Sequence, residues 1–239
     1  MIQQLVVNGC SYMETYALGN GHKDLSQQLG IPVCDSLAIG GSANSRIIRT
    51  TLKHSYQAAV PTFYVLGLTF VSRLELPILG DNPNRQFEGV WTNPQNQQFK
   101  SQWLPQWTQK DTDQWIELKL KSEVCSILDR TEDLMYRMVS LQADLESRGH
   151  RVLMYQQADN LYQQVLDNPR LALFKNNLSI KDGFAWRSIA WQNMHKVQSV
   201  VYPEGNQYVP PDMVHPEAGH HLMINTHLTQ YIKDSKLLA

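Results

Sequence analysis

Ser11 stands just past a short apolar run, Leu5-Val6-Val7, that stops at Asn8-Gly9. A serine hydroxyl is a weak nucleophile at neutral pH. It needs a base within hydrogen-bond reach, and that base needs a group to orient it. Such a pair occurs late in the chain, in PPDMVHPEAGHH (residues 210–221), where Asp212 precedes His215 by three positions. That spacing lets the carboxylate accept the proton of one imidazole nitrogen while the other faces away, and Pro210, Pro211 and Pro216 stiffen the segment. If this segment lies beside the first strand, Ser11, His215 and Asp212 form a catalytic triad.

The elements that must bring these groups together can be read from hydrophobic pattern. Leu5–Gly9 predicts a strand, Lys23–Leu29 a short helix ended by Gly30, and Pro32–Ile39 a second strand stopped by Gly40-Gly41. Asn44–Ala58 has apolar positions at Ile47, Ile48, Leu52 and Tyr56, the period of an amphipathic helix. Thr62–Thr69 is an almost continuous apolar run, as expected of a strand covered on both faces. Residues 73–111 are too long for an ordinary connection. They contain Pro77, Pro83, Pro94 and Pro105 with Trp91, Trp103 and Trp107, and predict a functional insertion or lid. Thr112–Arg148 reads as one long helix or two, capped by Asp111, Thr112 or Asp113 and stopped at Gly149. Arg151–Tyr155 predicts a fourth strand, 159–197 short helices, 200–202 a fifth, edge strand, and Pro216–Asp234 a final helix. Strand alternating with helix implies an α/β fold, a three-layer α/β/α sandwich around a mostly parallel sheet. The whole chain, 1–239, is read as one domain carrying the 73–111 insertion. Ligands in such sheets bind outside the carboxyl ends of the strands. Ser11, Gly41 and Thr69 all follow strands at that edge.

With these residues in view, the chain resembles the SGNH hydrolases, also called the GDSL family of esterases and lipases. Gly9-Cys10-Ser11 resembles the family's first block, Gly-Asp-Ser, with Ser11 at the nucleophile position. Gly41, in IGGSAN, stands at the second-block glycine, Gly67-Leu68-Thr69 at the third block, Gly-x-Asn, and Asp212-Met213-Val214-His215 matches the last, Asp-x-x-His. NGCS followed by GSAN also resembles divergent phage and bacterial members. The resemblance implies a flavodoxin-like SGNH hydrolase fold, a Ser11–His215–Asp212 triad, and an oxyanion hole built from the N–H groups of Ser11 and Gly41. It implies no cofactor. Two positions depart from the pattern. The first-block Asp is Cys10, and the third-block Asn, a side-chain donor to the hole, is Thr69. Either the Thr69 hydroxyl or Asn44, at the start of the helix after the second strand, is expected to take over that donation.

Each residue also has a plainer reading. Ser11 could cap a helix, His215 could cap the last one, Gly40-Gly41 could be only a tight turn, and Thr69 could be structural. Cys10 could be a nucleophile, though a small buried residue is simpler. Arg46 and Arg73 flank the expected pocket and could hold an anionic group or be solvated. His215, His220, His221 and His227 form no HExxH and no metal-binding pair, so no metal is expected. Cys10, Cys34 and Cys125 form no CxxC pair, which argues against zinc or a disulfide framework.

Composition narrows the partners. Hydrophobic residues make up 42% of the 239, enough for a sizeable core, and 21 basic against 22 acidic residues leave a net charge of −1. That balance offers nothing to nucleic acid or an anionic membrane. No apolar stretch approaches membrane-spanning length, and no signal peptide is read. A cytoplasmic enzyme, or a virion protein if the source is a phage, is the expectation. The function expected is serine-dependent hydrolysis of a small or carbohydrate-linked acyl ester, the tryptophans of the insertion suiting a glycan. The rival is a catalytically silent module of the same fold that binds glycan or joins a homo-oligomer or a structural assembly such as a phage particle.

Overall fold

Successive residues of a strand point to opposite faces, and here both faces are apolar. Leu5, Val7, Phe63, Val65, Leu153 and Tyr155 are buried on one side of a sheet, and Val6, Tyr64, Leu66, Val152 and Met154 on the other. The computed structural model describes residues 1–69, 73–77, 87–91, 114, 127–156, 169–171 and 218–238. In chain order its elements are β1 (Gln4–Gly9), α1 (Ser11–Leu18), α2 (Gly21–Leu29), β2 (Val33–Ser36), α3 (Asn44–Gln57), β3 (Thr62–Leu68), β4 (Arg73–Pro77), β5 (Phe87–Trp91), α4 (Ile127–Ser147), β6 (Arg151–Gln156) and α5 (Ala218–Asp234). The main sheet has four described strands in the order β2-β1-β3-β6, every neighbouring pair parallel.

That order sends the chain from β1 outward to β2, then back across β1 to β3. Right-handed crossovers in opposite directions place their helices on opposite faces. Accordingly α1, α2 and α5 cover one face with Met13, Tyr16, Leu25, Leu228 and Ile232, while α3 and α4 cover the other with Ile47, Leu134, Met138, Leu141 and Leu145. The α/β, three-layer reading therefore holds for the described residues. Among them no helix is long and apolar enough to cross a membrane.

The predicted stops act as expected. Gly30 and Gly149 adopt left-handed conformations, with φ of 69° and 78°. The following N–H groups, of Ile31 and His150, reach back to Ser26 O and Leu145 O at 2.9 and 3.0 Å, closing Schellman caps. Within the 73–111 insertion, β4 and β5 form an antiparallel pair in which Arg73 faces Trp91. The expected start of the long helix near residue 112, the short helices of 159–197 and the edge strand at 200–202 lie outside the described residues. So does Cys125.

One element was not anticipated. Residues 11–18 are helical, so the chain turns from strand to helix with no loop between them. The helix is held by Met13, Tyr16 and Ala17, which pack against the sheet and α5 at helical spacing.

Asn8, anticipated only as part of a strand stop, is fully buried. Its Nδ2 lies 3.0 Å from Ile47 O and 2.9 Å from both Thr50 Oγ1 and Thr51 Oγ1, and its Oδ1 accepts from Gly9 N–H at 2.9 Å. The side chain thus ties the end of β1 to α3. Asn8→Ala would leave several buried groups without a partner, and unfolding by urea should show a loss of about 2–3 kcal/mol.

At the opposite, amino edge of the sheet lies a second polar cluster. His150 is 4% exposed, and its Nδ1 accepts from Thr62 N–H at 3.1 Å, so the ring is neutral. Burial holds its pKa below the ordinary 6.5, with lesser contributions from Arg148 and His54 in the same direction and from a Ser55 backbone bond and Asp144 against it. His22 and His54 are also held low, in both cases chiefly by burial. Beside His54 and His150, Tyr64, whose hydroxyl is 2.9 Å from His54 Nδ1, is pushed up to about 12, mainly by burial. A histidine held neutral in the fold binds its proton more readily in the unfolded chain. Its stabilisation is therefore complete above about pH 6.5 and declines as pH falls, by at most about 1.4 kcal/mol per pH unit for each such ring. Thermal melts between about pH 7.5 and 5 should show a falling Tm. His150→Asn, whose Oδ1 can still accept from Thr62, should flatten part of the slope.

Candidate active site

The site begins where β1 and β3 end. In a doubly wound sheet the crevice opens where successive crossovers depart in opposite directions, which here is between β1 and β3. Their register pairs Gly9 with Gly67, so Ser11 and Thr69 each lie two residues beyond a matched pair on adjacent strands. The chains approach closely there. A Cβ on Gly9 would sit 2.9 Å from Gly67 O and 2.4 Å from Met13 Cγ, so only glycine allows α1 to start at this point.

Cys10, not Ser11, is the N-cap of α1, and its side chain makes no capping bond. Ser11 is the first helical residue. Its N–H is one of those that a helix start leaves outside the hydrogen-bond ladder, and its side chain is partly exposed at the positive end of the helix. Cys10 is fully buried within the α1, α2 and α5 core. Of the two neighbouring candidates, the serine is the one a substrate can reach.

Gly41, expected at the second block, arrives by a continuation of β2. Beyond Ser36 the chain still follows β1, with Leu37 N–H bonded to Val7 O at 2.8 Å and Ile39 N–H to Gly9 O at 3.3 Å. It then turns. Ser42 N–H reaches Ile39 O at 3.3 Å, and Gly41 has φ of 77°, the left-handed third position that a type II turn assigns to glycine. Glu14 Oε2 accepts from Gly40 N–H at 2.9 Å. A Cβ built on Gly40 would lie 3.7 Å from Ser11 Cβ, so the turn sits directly beside Ser11. Neither the turn nor Glu14 uses the Gly41 N–H. Arg46 braces this loop, donating to Ser42 Oγ at 3.0 Å and to Leu37 O at 3.4 Å, which gives its guanidinium a structural task.

Thr69, expected at the third block, is held by Asn44. Its Nδ2 donates to Thr69 O at 2.9 Å and its Oδ1 accepts from Thr69 N–H at 2.8 Å. Asn44, a candidate oxyanion donor from sequence, thus binds both backbone groups of the other candidate. Thr69 is fully buried, and its Oγ1 has no hydrogen-bond partner among the described residues. The Gly40 N–H and both Thr69 backbone groups are occupied by Glu14 and Asn44, while the Gly41 N–H and the Thr69 hydroxyl have no partner among the described residues.

Asp212 and His215 lie outside the described residues, but the helix that follows them does not. Tyr16 Oη donates to Asn225 Oδ1 at 2.5 Å, and Asn225 Nδ2 donates to Gly21 O at 2.9 Å. One turn on, Thr229 Oγ1 donates to Gln28 Oε1 at 2.8 Å. Gln28 is near the end of α2, which leads to the amino edge of the sheet. So α5 runs from the carboxyl edge towards the amino edge. Ala218 lies about 10 Å of helix beyond Asn225, towards the edge that carries Ser11. Among the described residues no three His, Cys, Asp or Glu side chains gather as a metal site.

No family profile matches this chain, and no curated protein matches it. Among solved structures it is similar to the psychrotrophic esterase EstA from Pseudoalteromonas sp., inhibited by monoethylphosphonate, at a TM-score of 0.48 and 10% identity over 97% of each chain. It is also similar to TesA, at a TM-score of 0.45 and 13% identity over 97% of this chain and 99% of that one.

Proposed function

We propose that the chain is a serine-dependent ester hydrolase. His215, oriented by Asp212, removes the proton of the Ser11 hydroxyl as its oxygen attacks the ester carbonyl. The resulting oxyanion is held by the N–H groups of Ser11 and Gly41 and by the Thr69 hydroxyl. His215 then passes the proton to the leaving alcohol, and water repeats the sequence on the acyl-enzyme. Asn44 serves by fixing the Thr69 backbone. Carbohydrate-linked acyl groups are the proposed substrates, because the insertion that follows the third block is rich in tryptophan and amides.

The single observation that supports this most is the pattern of used and unused donors. Buried hydroxyls nearly always have a partner, yet Thr69 Oγ1 has none among the described residues, and Thr69 follows directly on β3, whose Gly67 pairs with the Gly9 that precedes α1. A donor with no partner among the described residues, at the sheet edge that also carries a serine at a helix start, is what a transient anion needs.

A fluorophosphonate probe tests the reading. Covalent label mapped by mass spectrometry to Ser11, with an intact-mass shift of one adduct, is the expected result. A chain that takes no label but retains an acetylated glycan on a column would instead be the silent binding module, for which the replaced third-block Asn is the favouring feature.

A further inference from the structure

We propose that Glu14 is a positioning residue, the clamp that holds the Gly40–Gly41 turn in register with Ser11. This rests on the hydrolase reading above. Glu14 is three residues after Ser11 in the first turn of α1, so the two share a helix face. Its Oε2 takes the Gly40 N–H at 2.9 Å. The same carboxylate oxygen lies 2.7 Å from the position of a Cβ on Gly40, and Ser11 Cβ lies 3.7 Å from it. Serine, carboxylate and turn therefore converge on one glycine.

The need for a clamp follows from the turn itself. Two adjacent glycines give the backbone more freedom than any other pair, and Gly41 must hold φ at 77° for its N–H to keep one direction. The loop is fastened to β1 by the Ile39 N–H to Gly9 O bond, before the glycines, and to α3 after them. Between those points the Glu14 carboxylate is the side-chain contact that reaches the turn from α1. Position 10, where the resembled pattern carries Asp, is Cys10 here. Glu14 places a carboxylate one turn later, on the helix that starts with Ser11.

The role needs an acceptor, not a charge. Glu14→Ala frees the turn and should lower kcat on a short-chain p-nitrophenyl ester about ten-fold, less than outright removal of an oxyanion donor, with KM nearly constant. Glu14→Gln keeps an oxygen that can accept from Gly40 and should recover most of the loss. Amide exchange gives a readout independent of turnover: Gly40 should be protected in the wild type, exposed in Glu14→Ala and protected again in Glu14→Gln. An active wild type with Glu14→Ala equally fast, or with Glu14→Gln as slow as Glu14→Ala, would overturn the positioning role alone. A wild type that neither turns over ester nor takes the fluorophosphonate label would overturn the hydrolase reading and this role with it.

Discussion

Ser11→Ala should abolish ester turnover, by at least about 10³-fold in kcat, and leave the fold unchanged. The size follows from chemistry: without Oγ no acyl-enzyme forms, and the neighbouring thiol cannot substitute, because Cys10 is fully buried in the core beneath α1. The stability expectation follows from position. Ser11 is the first residue of the helix, not its cap, and its side chain is partly exposed, so losing the hydroxyl should cost the fold little. His215→Ala should cause a loss of the same order. The decisive comparison is the double variant. Groups that act as one unit are grossly non-additive, so Ser11→Ala with His215→Ala should be no slower than either single change. Losses that multiply would mean that the two residues act independently, and the triad would be abandoned. Steady-state kinetics on one chromogenic ester, with circular dichroism to confirm folding, is sufficient.

Most of the frame was legible because it depends on local pattern. The nearly continuous apolar run of Thr62–Leu68 announces a strand covered on both faces, and Gly30 and Gly149 end helices because glycine enters the left-handed region without strain. The edge expected to carry the site follows from the alternation of strand with helix, which places ligands at the carboxyl ends of parallel strands. What escaped was whatever depends on partners far along the chain. Helix α1 was missed because its apolar set, Met13, Tyr16 and Ala17, amounts to little more than one turn, and its partners on α5 come some two hundred residues later. Asn8 reads as a strand-ending residue, yet its amide reaches α3. Asn44 was considered as a donor to substrate, and nothing local announces that its amide pairs with Thr69. Glu14 carries no motif at all. Ser11, the proposed nucleophile, stands in a recognisable motif, whereas the side chains that fasten the loops around it do not. The Asp212–His215 segment was legible as a motif, and the course of α5 is the structural fact that bears on it.

The second large effect concerns Thr69 and has two opposite signs. Thr69→Val keeps the branched shape that suits the end of β3 and removes only the hydroxyl. In the resting protein that hydroxyl is buried with no partner among the described residues, a state that costs about 1–3 kcal/mol. The variant should therefore be more stable than the wild type, by about 1 kcal/mol in urea unfolding, while losing about 10²-fold in kcat if the hydroxyl donates to the oxyanion. Thr69→Ser, which restores the donor, should recover activity and give up the added stability. The opposed signs separate three possibilities. A structural hydroxyl would make Thr69→Val less stable and, if active, only mildly slower. A hydroxyl with no role would raise stability without touching kcat. Only a donor kept unpaired for the transition state predicts that the protein becomes sturdier and slower through the same atom. Asn44→Ala provides the control: it frees the Thr69 backbone without removing the hydroxyl, so it should lower both stability and kcat.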